Sequence, residues 1–146
     1  MGAHQKKKQK YLWEYRNRKR KVDRLNSQIE TLRESVAHAT TVVDGMPKST
    51  GIKDNLPDYV TDHKELAEEL KEEERLMLDA FYLIKKSIEA LDCDNEKDVL
   101  SYRYIAGMEP PEIAEKMNYT VRGVWKIHKR AFENVKIIKS VPSSSL

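Results

Sequence analysis

The amino-acid sequence predicts an all-α protein, in which a long antiparallel, coiled-coil-like helical hairpin is followed by a C-terminal helix-turn-helix. Charged residues make up 35% of the chain while Gly and Pro number only five each, a composition typical of helical proteins. Two long segments repeat apolar residues at alternating intervals of three and four positions. The last part of the chain instead contains short amphipathic segments separated by turn-forming residues.

The first helical segment, from Tyr11 to Val43, carries a heptad seam. An alternating three-and-four spacing of apolar residues is the repeat by which two helices pack along a shared stripe. The seam consists of Val22, Leu25, Ile29, Leu32, Val36, Ala39 and Val43, extended towards the N-terminus by Tyr15 and Tyr11. Residues 1–10, rich in Lys, are expected to form a basic arm before this helix.

Residues 44–57 contain two glycines and two prolines, which predict a loop of roughly a dozen residues. A second helix is expected from about Asp58 to Leu91. Its seam is read as Leu70, Glu74, Met77, Phe81, Ile84, Ile88 and Leu91. Two long helices joined by one loop predict an antiparallel hairpin over residues 11–92. The hairpin is interpreted either as a structural stalk that closes on itself or as an element that joins two copies in a homodimer, and the sustained heptads favour the homodimer. The acidic residues at 68–74 are expected to form a solvated helix face.

A helix-turn-helix is predicted over residues 93–139, and residues 140–146 are expected to be a disordered tail. Its leading helix runs from a cap at Asp94 or Asn95 to Ala106, and Gly107 suits a left-handed helix end. A short helix then begins at Pro110-Pro111, since prolines are tolerated where backbone N–H groups lack partners.

The final helix is expected from about Val121 to Ile138, after a turn at Asn118 and an N-cap at Thr120. Its predicted inward residues are Val124, His128, Ala131, Phe132 and Val135. The candidate DNA-binding residues are Thr120, Val121, Arg122, Trp125, Lys126, Lys129 and Arg130, because the major groove admits one such helix and basic side chains meet bases and phosphates. Trp125 has two open roles, a contact with a thymine methyl or sugar and packing over the helix junction.

The charge distribution agrees with a nucleic-acid partner. Residues 1–33 contain eleven Lys and Arg against three acidic residues, and residues 111–146 contain seven against three, whereas residues 34–110 contain nine against eighteen. Basic ends separated by an acidic middle can meet phosphates at both ends. The basic runs Lys6–Lys10 and Arg16–Arg24 are interpreted either as added phosphate contacts or as a soluble arm.

Several classes of function are not expected. The sequence has no Gly-rich phosphate loop or nucleophile motif, so an enzyme is not predicted and no cofactor is implied. His4, His38, His63 and His128 form no close pair for zinc, and the single cysteine, Cys93, lacks a ligand set, so no metal site is predicted. No apolar run is long enough for a membrane span or a secretory signal, which predicts a cytoplasmic protein.

The C-terminal third resembles region 4 of sigma-70 factors. The residues that carry the resemblance are Val99–Gly107, Glu112–Met117, Thr120, Val124 and Arg130-Ala131-Phe132. The whole layout is similar to small phage regulators of the RinA and ArpU type, through the Tyr11-Leu12 pair, the two long helices and the Ile127-His128 ending. Sigma factors carry polar residues at the position of Trp125 and apolar ones at that of His128, so His128 is interpreted as a core histidine.

This resemblance implies a sequence-specific transcription regulator that binds double-stranded DNA and activates phage late genes with host RNA polymerase, in the cytoplasm of a bacterial host. Two alternatives remain open. One is a phage small terminase subunit that binds packaging-site DNA as a ring. The other is an interaction module whose helix-turn-helix contacts polymerase and binds DNA weakly.

Overall fold

The computed structural model describes the backbone of residues 2–44 and 50–139 and the side chains of residues 2–38 and 60–139, and all regular structure in these ranges is helical. Five α-helices follow one another: α1 (Ala3–Asp44), α2 (Thr50–Glu89), α3 (Asp94–Leu100), α4 (Pro110–Met117) and α5 (Val121–Asn134). The all-α prediction is therefore confirmed. Residues 45–49 of the predicted loop, the side chains of the seam residues Ala39 and Val43, and the predicted disordered tail lie outside the described residues.

Both long helices begin earlier than predicted. Residues 3–10, expected as a separate arm, are the first turns of α1, in agreement with the high helix propensity of Lys and Gln. Helix α2 begins at Thr50 rather than near Asp58, so Gly51 and Pro57 lie within it. A proline removes one backbone hydrogen bond and crowds the preceding turn, but it does not end this helix. The prediction gave these two residues more weight than the helix-forming residues around them.

The chain divides into two compact units. The C-terminal unit joins the residues up to Arg18 with the residues from Leu76 onward, and the hairpin unit consists of Lys19–Arg75. This division differs from the predicted ranges 11–92 and 93–139. The reason is that the first turns of α1 and the last turns of α2 share an apolar core with the helix-turn-helix.

Within the hairpin unit, α1 and α2 run antiparallel. Lys21 Nζ lies 3.2 Å from Glu73 Oε2, and Arg33 Nε donates to His63 Nε2 at 3.2 Å, so the contacting position on α2 decreases as that on α1 advances. Of the predicted seam residues in this part of α1, Val22, Leu25 and Ile29 are buried, and Leu32 and Val36 are half-buried.

The predicted seam of α2 was wrong at one position. Glu74 is exposed, whereas Glu73 is only 7% exposed and forms the ion pair with Lys21. The prediction took a step of four residues from Leu70 where the helix uses a step of three. Lys21 offsets part of the cost of removing the Glu73 carboxylate from water. The other acidic residues of this run, Glu68, Glu69 and Glu72, are exposed as expected.

Two apolar clusters form the core of the C-terminal unit. The first draws on α1, α2, α3 and α5 and consists of Leu12, Ile84, Ile88, Leu91, Leu100, Tyr104, Ala131 and Val135. The second lies inside the helix-turn-helix and consists of Val99, Ile113, Ala114, Val124 and Ile127. Because α3 and α5 contribute to both clusters, the helix-turn-helix is held against the ends of the two long helices.

The leading helix of the helix-turn-helix is not α-helical throughout. The α-helix ends at Leu100, and residues 101–105 form a π-helical turn in which Ala106 N–H donates to Ser101 C=O at 3.0 Å. A π turn holds an extra residue and so changes which side chains share a face. Gly107 then adopts φ 77°, so the predicted left-handed end is confirmed.

The predicted cap of this helix was wrong. Cys93 is the N-cap residue and makes no side-chain capping bond, while Asp94 is the first helical residue, where a negative charge opposes the positive end of the helix dipole. Asn95 instead donates from Nδ2 to Tyr119 Oη at 3.0 Å. The side chain of Asn95 therefore ties α3 to the turn before α5.

Candidate nucleic-acid interface

Helix α4 begins as its prolines predict. Pro110 and Pro111 occupy its first turn, where no partner exists for a backbone N–H group. Glu109 and Glu112, on either side of the prolines, form a capping box. Glu109 N–H donates to Glu112 Oε1 at 3.2 Å, and the Glu109 side chain accepts from Glu112 N–H. The start of α4 is thus fixed by the prolines of its first turn and by the capping box.

The turn between α4 and α5 also follows its sequence signals. Asn118 adopts the left-handed conformation with φ 58°, and Tyr119 N–H donates to Ala114 C=O at 2.8 Å. Thr120 is the N-cap of α5, because its Oγ1 accepts a 3.0 Å hydrogen bond from Gly123 N–H. These local bonds fix where the first turn of α5 starts and which of its side chains face outward.

The buried face of α5 is made by Val124, Ile127 and Ala131, with Val135 buried just after the helix. Sequence reasoning found three of these residues but missed Ile127, although its three-residue step from Val124 is a helical spacing. The helix ends at Asn134 rather than near Ile138. Branched side chains at 135, 137 and 138 favour the extended backbone that follows.

The opposite face of α5 is exposed and basic. All seven candidate DNA-binding residues lie on it: Thr120, Val121, Arg122, Trp125, Lys126, Lys129 and Arg130. Arg122, Lys126 and Lys129 make no ion pair with any other residue that the structure describes. Since each step of three or four residues is about one turn, these three charges form one stripe along the helix.

Arg130 differs from the other cations of this face. Its Nε lies 3.8 Å from Glu96 Oε2, and the same carboxylate accepts a 3.0 Å hydrogen bond from Asn134 Nδ2 at the end of α5. The Glu96 side chain is buried, so a nearby positive charge and donor offset the cost of desolvating it. Sequence reasoning missed this pair because 34 positions separate its members.

Trp125 is partly packed and partly exposed, and its two predicted roles stay predictions. Its ring contacts the His128 ring edge to face, with centroids 5.4 Å apart, and the residue is still 48% exposed. One side of the indole therefore packs within the protein, and the remainder is available to a ligand.

His128 is half-buried in an aromatic cluster, in agreement with its interpretation as a core histidine. Its Nε2 lies 2.7 Å from Tyr104 Oη, and its ring stacks on Phe132 at 6.1 Å. Burial, followed by the nearby Arg103 charge, lowers the pKa of His128, and burial raises the pKa of Tyr104 to about 12. At neutral pH the Tyr104 hydroxyl therefore stays protonated and the imidazole is neutral, so the 2.7 Å contact is a hydrogen bond between two uncharged groups.

We expect the stability of the C-terminal unit to fall as the solution is acidified below the unfolded-state pKa of histidine, about 6.5. Because the folded-state pKa of His128 is lower, the unfolded chain binds a proton that the folded chain does not, until the pH reaches the folded value. The slope from this residue is at most about 1.4 kcal/mol per pH unit. Urea unfolding between pH 7.5 and 5.5 should show a smaller loss for His128→Gln than for wild type.

The matched control is His4→Gln, which removes an exposed histidine of the same unit and should keep the wild-type dependence. If all three proteins lost stability equally, the assignment of this pH dependence to His128 would be wrong.

The basic N-terminal residues do not all face solvent. Lys8 is buried, and its Nζ donates to the carbonyls of Phe132 at 2.8 Å and Glu133 at 3.2 Å. It thus caps the last turn of α5, where carbonyls lack helical partners and the dipole favours a cation. Lys8 is thereby corrected from a candidate phosphate contact to a structural residue, while Lys6, Lys7 and Lys10 remain exposed.

In the part of the chain that the structure describes, no group of three or more metal-ligating side chains occurs, and no helix is long and apolar enough to cross a membrane. Comparisons with protein-family models, characterised proteins and solved structures gave no match to this chain. A functional assignment therefore depends on the exposed basic face of α5 and on the resemblance of its sequence.

Proposed function

We propose that this protein is a sequence-specific DNA-binding regulator of transcription that inserts the first turns of α5 into the major groove. The observation that carries the proposal is the stripe of Arg122, Lys126 and Lys129 on the second helix of a helix-turn-helix, exposed and without ion-pair partners among the described residues. The opposite face of α5 is buried in the core, so a ligand can reach only the basic face.

The dimensions of α5 suit this role. Its 14 residues span about 21 Å, and the major groove is about 12 Å wide, which admits one helix. Side chains in the first turn of such a helix reach base edges, and later basic residues reach phosphates. Arg122 is therefore assigned to guanine O6 and N7, Lys126 to a base edge or phosphate, and Lys129 to phosphate.

The start of α5 adds contacts of other kinds. The Thr120 hydroxyl accepts from Gly123 N–H and still has its own proton to donate to a phosphate oxygen. The positive end of the helix dipole favours an anion there. Val121 and the outer part of Trp125 supply apolar contact for thymine methyl groups. Arg130 contributes less, because Glu96 already neutralises part of its charge.

The narrower proposal concerns the biological setting. The resemblance of the last third to sigma-70 region 4, and of the layout to RinA and ArpU regulators, supports activation of phage late genes together with host RNA polymerase. The site of action would be the cytoplasm of a bacterial host. No cofactor, metal or enzymatic step is needed for this function.

We also propose that the protein acts as a homodimer through its hairpin unit. A groove of about 690 Å³ along this unit is lined by two half-buried leucines, the seam residue Leu32 of α1 and Leu66 of α2. Arg24 lies along the same groove as the acidic Glu65 and Glu69. A two-fold axis would bring the same patch of each copy together, so that a basic side chain of one meets the acids of the other.

The proposal is tested first by selecting duplexes from a random library with the purified protein. We expect one sequence to be enriched, and its affinity to fall steeply as salt rises, because phosphate contacts by Lys and Arg release counterions. Enrichment of no sequence, together with an affinity that does not respond to salt, would contradict DNA binding.

The molar mass of the purified protein in solution separates the activator from its main alternative. A dimer supports the regulator proposal. A closed ring of many copies would instead favour a small terminase subunit that binds packaging-site DNA.

A further inference from the structure

A second basic surface lies in the C-terminal unit, and residues from both ends of the chain build it. The first turns of α1 and the extended segment after α5 form a groove of about 870 Å³, which we call the flanking groove. Five lysines line it together with His4: Lys7, Lys8, Lys10, Lys136 and Lys139. Among the described residues that line it, only Glu14 and Glu133 are acidic, so this lining is strongly positive.

Four of these lysines are available to a ligand. Lys7, Lys10, Lys136 and Lys139 are exposed and make no ion pair with any residue in the described ranges. Lys8 is excluded, because its ammonium group is held by two carbonyls of α5. No structural contact in the described part of the chain therefore accounts for the clustering of these four charges in one groove.

The capping contact of Lys8 also shows where the flanking groove lies relative to the exposed basic face of α5. Lys8 binds the carbonyls of Phe132 and Glu133, so the groove adjoins the last turn of α5. Residue 132 follows Val121 by 11 positions, which is about 17 Å along a helix. A DNA strand advances 3.4 Å per base along the duplex axis, so that distance spans at most about five base pairs.

We propose that the flanking groove binds the phosphate backbone of DNA beside the site that α5 reads, and this inference rests on the proposed function. Lysine ammonium groups act as point charges that suit phosphate oxygens, and such contacts strengthen binding without reading sequence. The four available lysines lie on the same compact unit as α5. We therefore expect them to reach the DNA phosphates next to the segment whose major groove α5 occupies. This arrangement favours the phosphates of that DNA over an acidic protein segment as the occupant.

The test replaces all four lysines by Gln and measures duplex affinity against salt concentration. One duplex ends about two base pairs beyond the selected site, and the other extends about ten base pairs further on each side. On the long duplex we expect a plot of log affinity against log salt that is less steep by about 0.9 for each phosphate that the variant no longer neutralises. On the short duplex the variant should match wild type, and the ratio of affinities for selected and scrambled sites should not change.

Two controls keep the result specific. Replacing Lys64, Lys71, Lys85 and Lys86 of α2 by Gln removes the same charge from exposed positions outside the groove and should leave the long-duplex slope unchanged. Replacing the four groove lysines by Arg retains charge and should restore the wild-type slope. A circular dichroism spectrum and urea midpoint equal to wild type show that each variant is folded.

The outcomes distinguish the two proposals. If wild type selects no duplex, the proposed function fails, and the groove inference fails with it. If wild type binds its site but the groove variant keeps the full slope on the long duplex, only the groove inference is overturned. It is also overturned if the variant loses slope no more than the α2 control, or if its main change is a lower oligomeric mass, which would indicate an acidic segment of a second copy as the occupant.

Discussion

Replacing Leu12 by Ala is expected to lower the free energy of unfolding of the C-terminal unit by about 2–5 kcal/mol. Leu12 lies on α1 and is 0% exposed, in the cluster that also contains Leu100 of α3 and Ala131 of α5. Replacing its isobutyl group by a methyl group reduces apolar burial and leaves a cavity between the long helices and the helix-turn-helix. Denaturant unfolding followed by circular dichroism measures the change directly.

The comparison for this prediction is Leu78→Ala, which makes the same chemical change at a residue that is 60% exposed in the same unit. Its expected cost is below about 0.5 kcal/mol, as for most surface substitutions. Equal costs for the two variants would contradict the placement of Leu12 in the core. If a fragment limited to residues 93–139 folded with full stability, the dependence of the helix-turn-helix on α1 would be disproved.

The parts of the fold that the sequence predicts well are those with short-range causes. The turn between α4 and α5 depends on Asn118, which tolerates a left-handed backbone, and on Thr120, whose hydroxyl caps a group three residues away. The start of α4 depends on prolines in its own first turn. In each case the residue and the backbone group that it affects lie within one helical turn, so a short sequence pattern is enough to predict the structure.

The parts that could not be predicted depend on distant contacts or on competing local preferences. Lys8 caps a helix more than a hundred positions away, and no spacing rule indicates that such a residue will be buried. The predicted seam of α2 contained Glu74 where the buried residue is Glu73, because steps of three and of four residues are equally compatible with a helix. Pro57 lies within α2 although its residue type usually marks a break.

The candidate site on α5 also has features that the sequence predicts and a feature that depends on distant contacts. Exposure and charge on α5 follow from the helical period, so the outward positions of Arg122, Lys126 and Lys129 agree with the sequence pattern. The pairing of Arg130 with Glu96 does not follow from that period, since it requires α3 to pack beside the end of α5. Periodicity gives the face of a helix, and only the tertiary structure shows which of its charges already have partners.

The largest effect on DNA recognition is expected from Arg122→Ala. Arg122 lies in the first turn of α5, is exposed, and has no ion-pair partner among the described residues, so its fork of donors is free for guanine O6 and N7. Removing such a bidentate pair should reduce discrimination between the selected duplex and one changed at that base pair by about 1–3 kcal/mol. That energy corresponds to roughly a 5- to 150-fold loss of selectivity.

Lys129→Ala is the matched variant, because it removes one cation from the same face two turns further along α5. A lysine that contacts only phosphate contributes equally to all sequences, so its removal should weaken both duplexes alike and reduce the salt slope by about 1. Affinities for selected and altered duplexes at several salt concentrations, measured by fluorescence anisotropy, separate the two patterns. If Arg122→Ala and Lys129→Ala weakened both duplexes by the same factor, α5 would bind the DNA backbone without reading bases, and the assignment of sequence specificity to its first turn would be wrong.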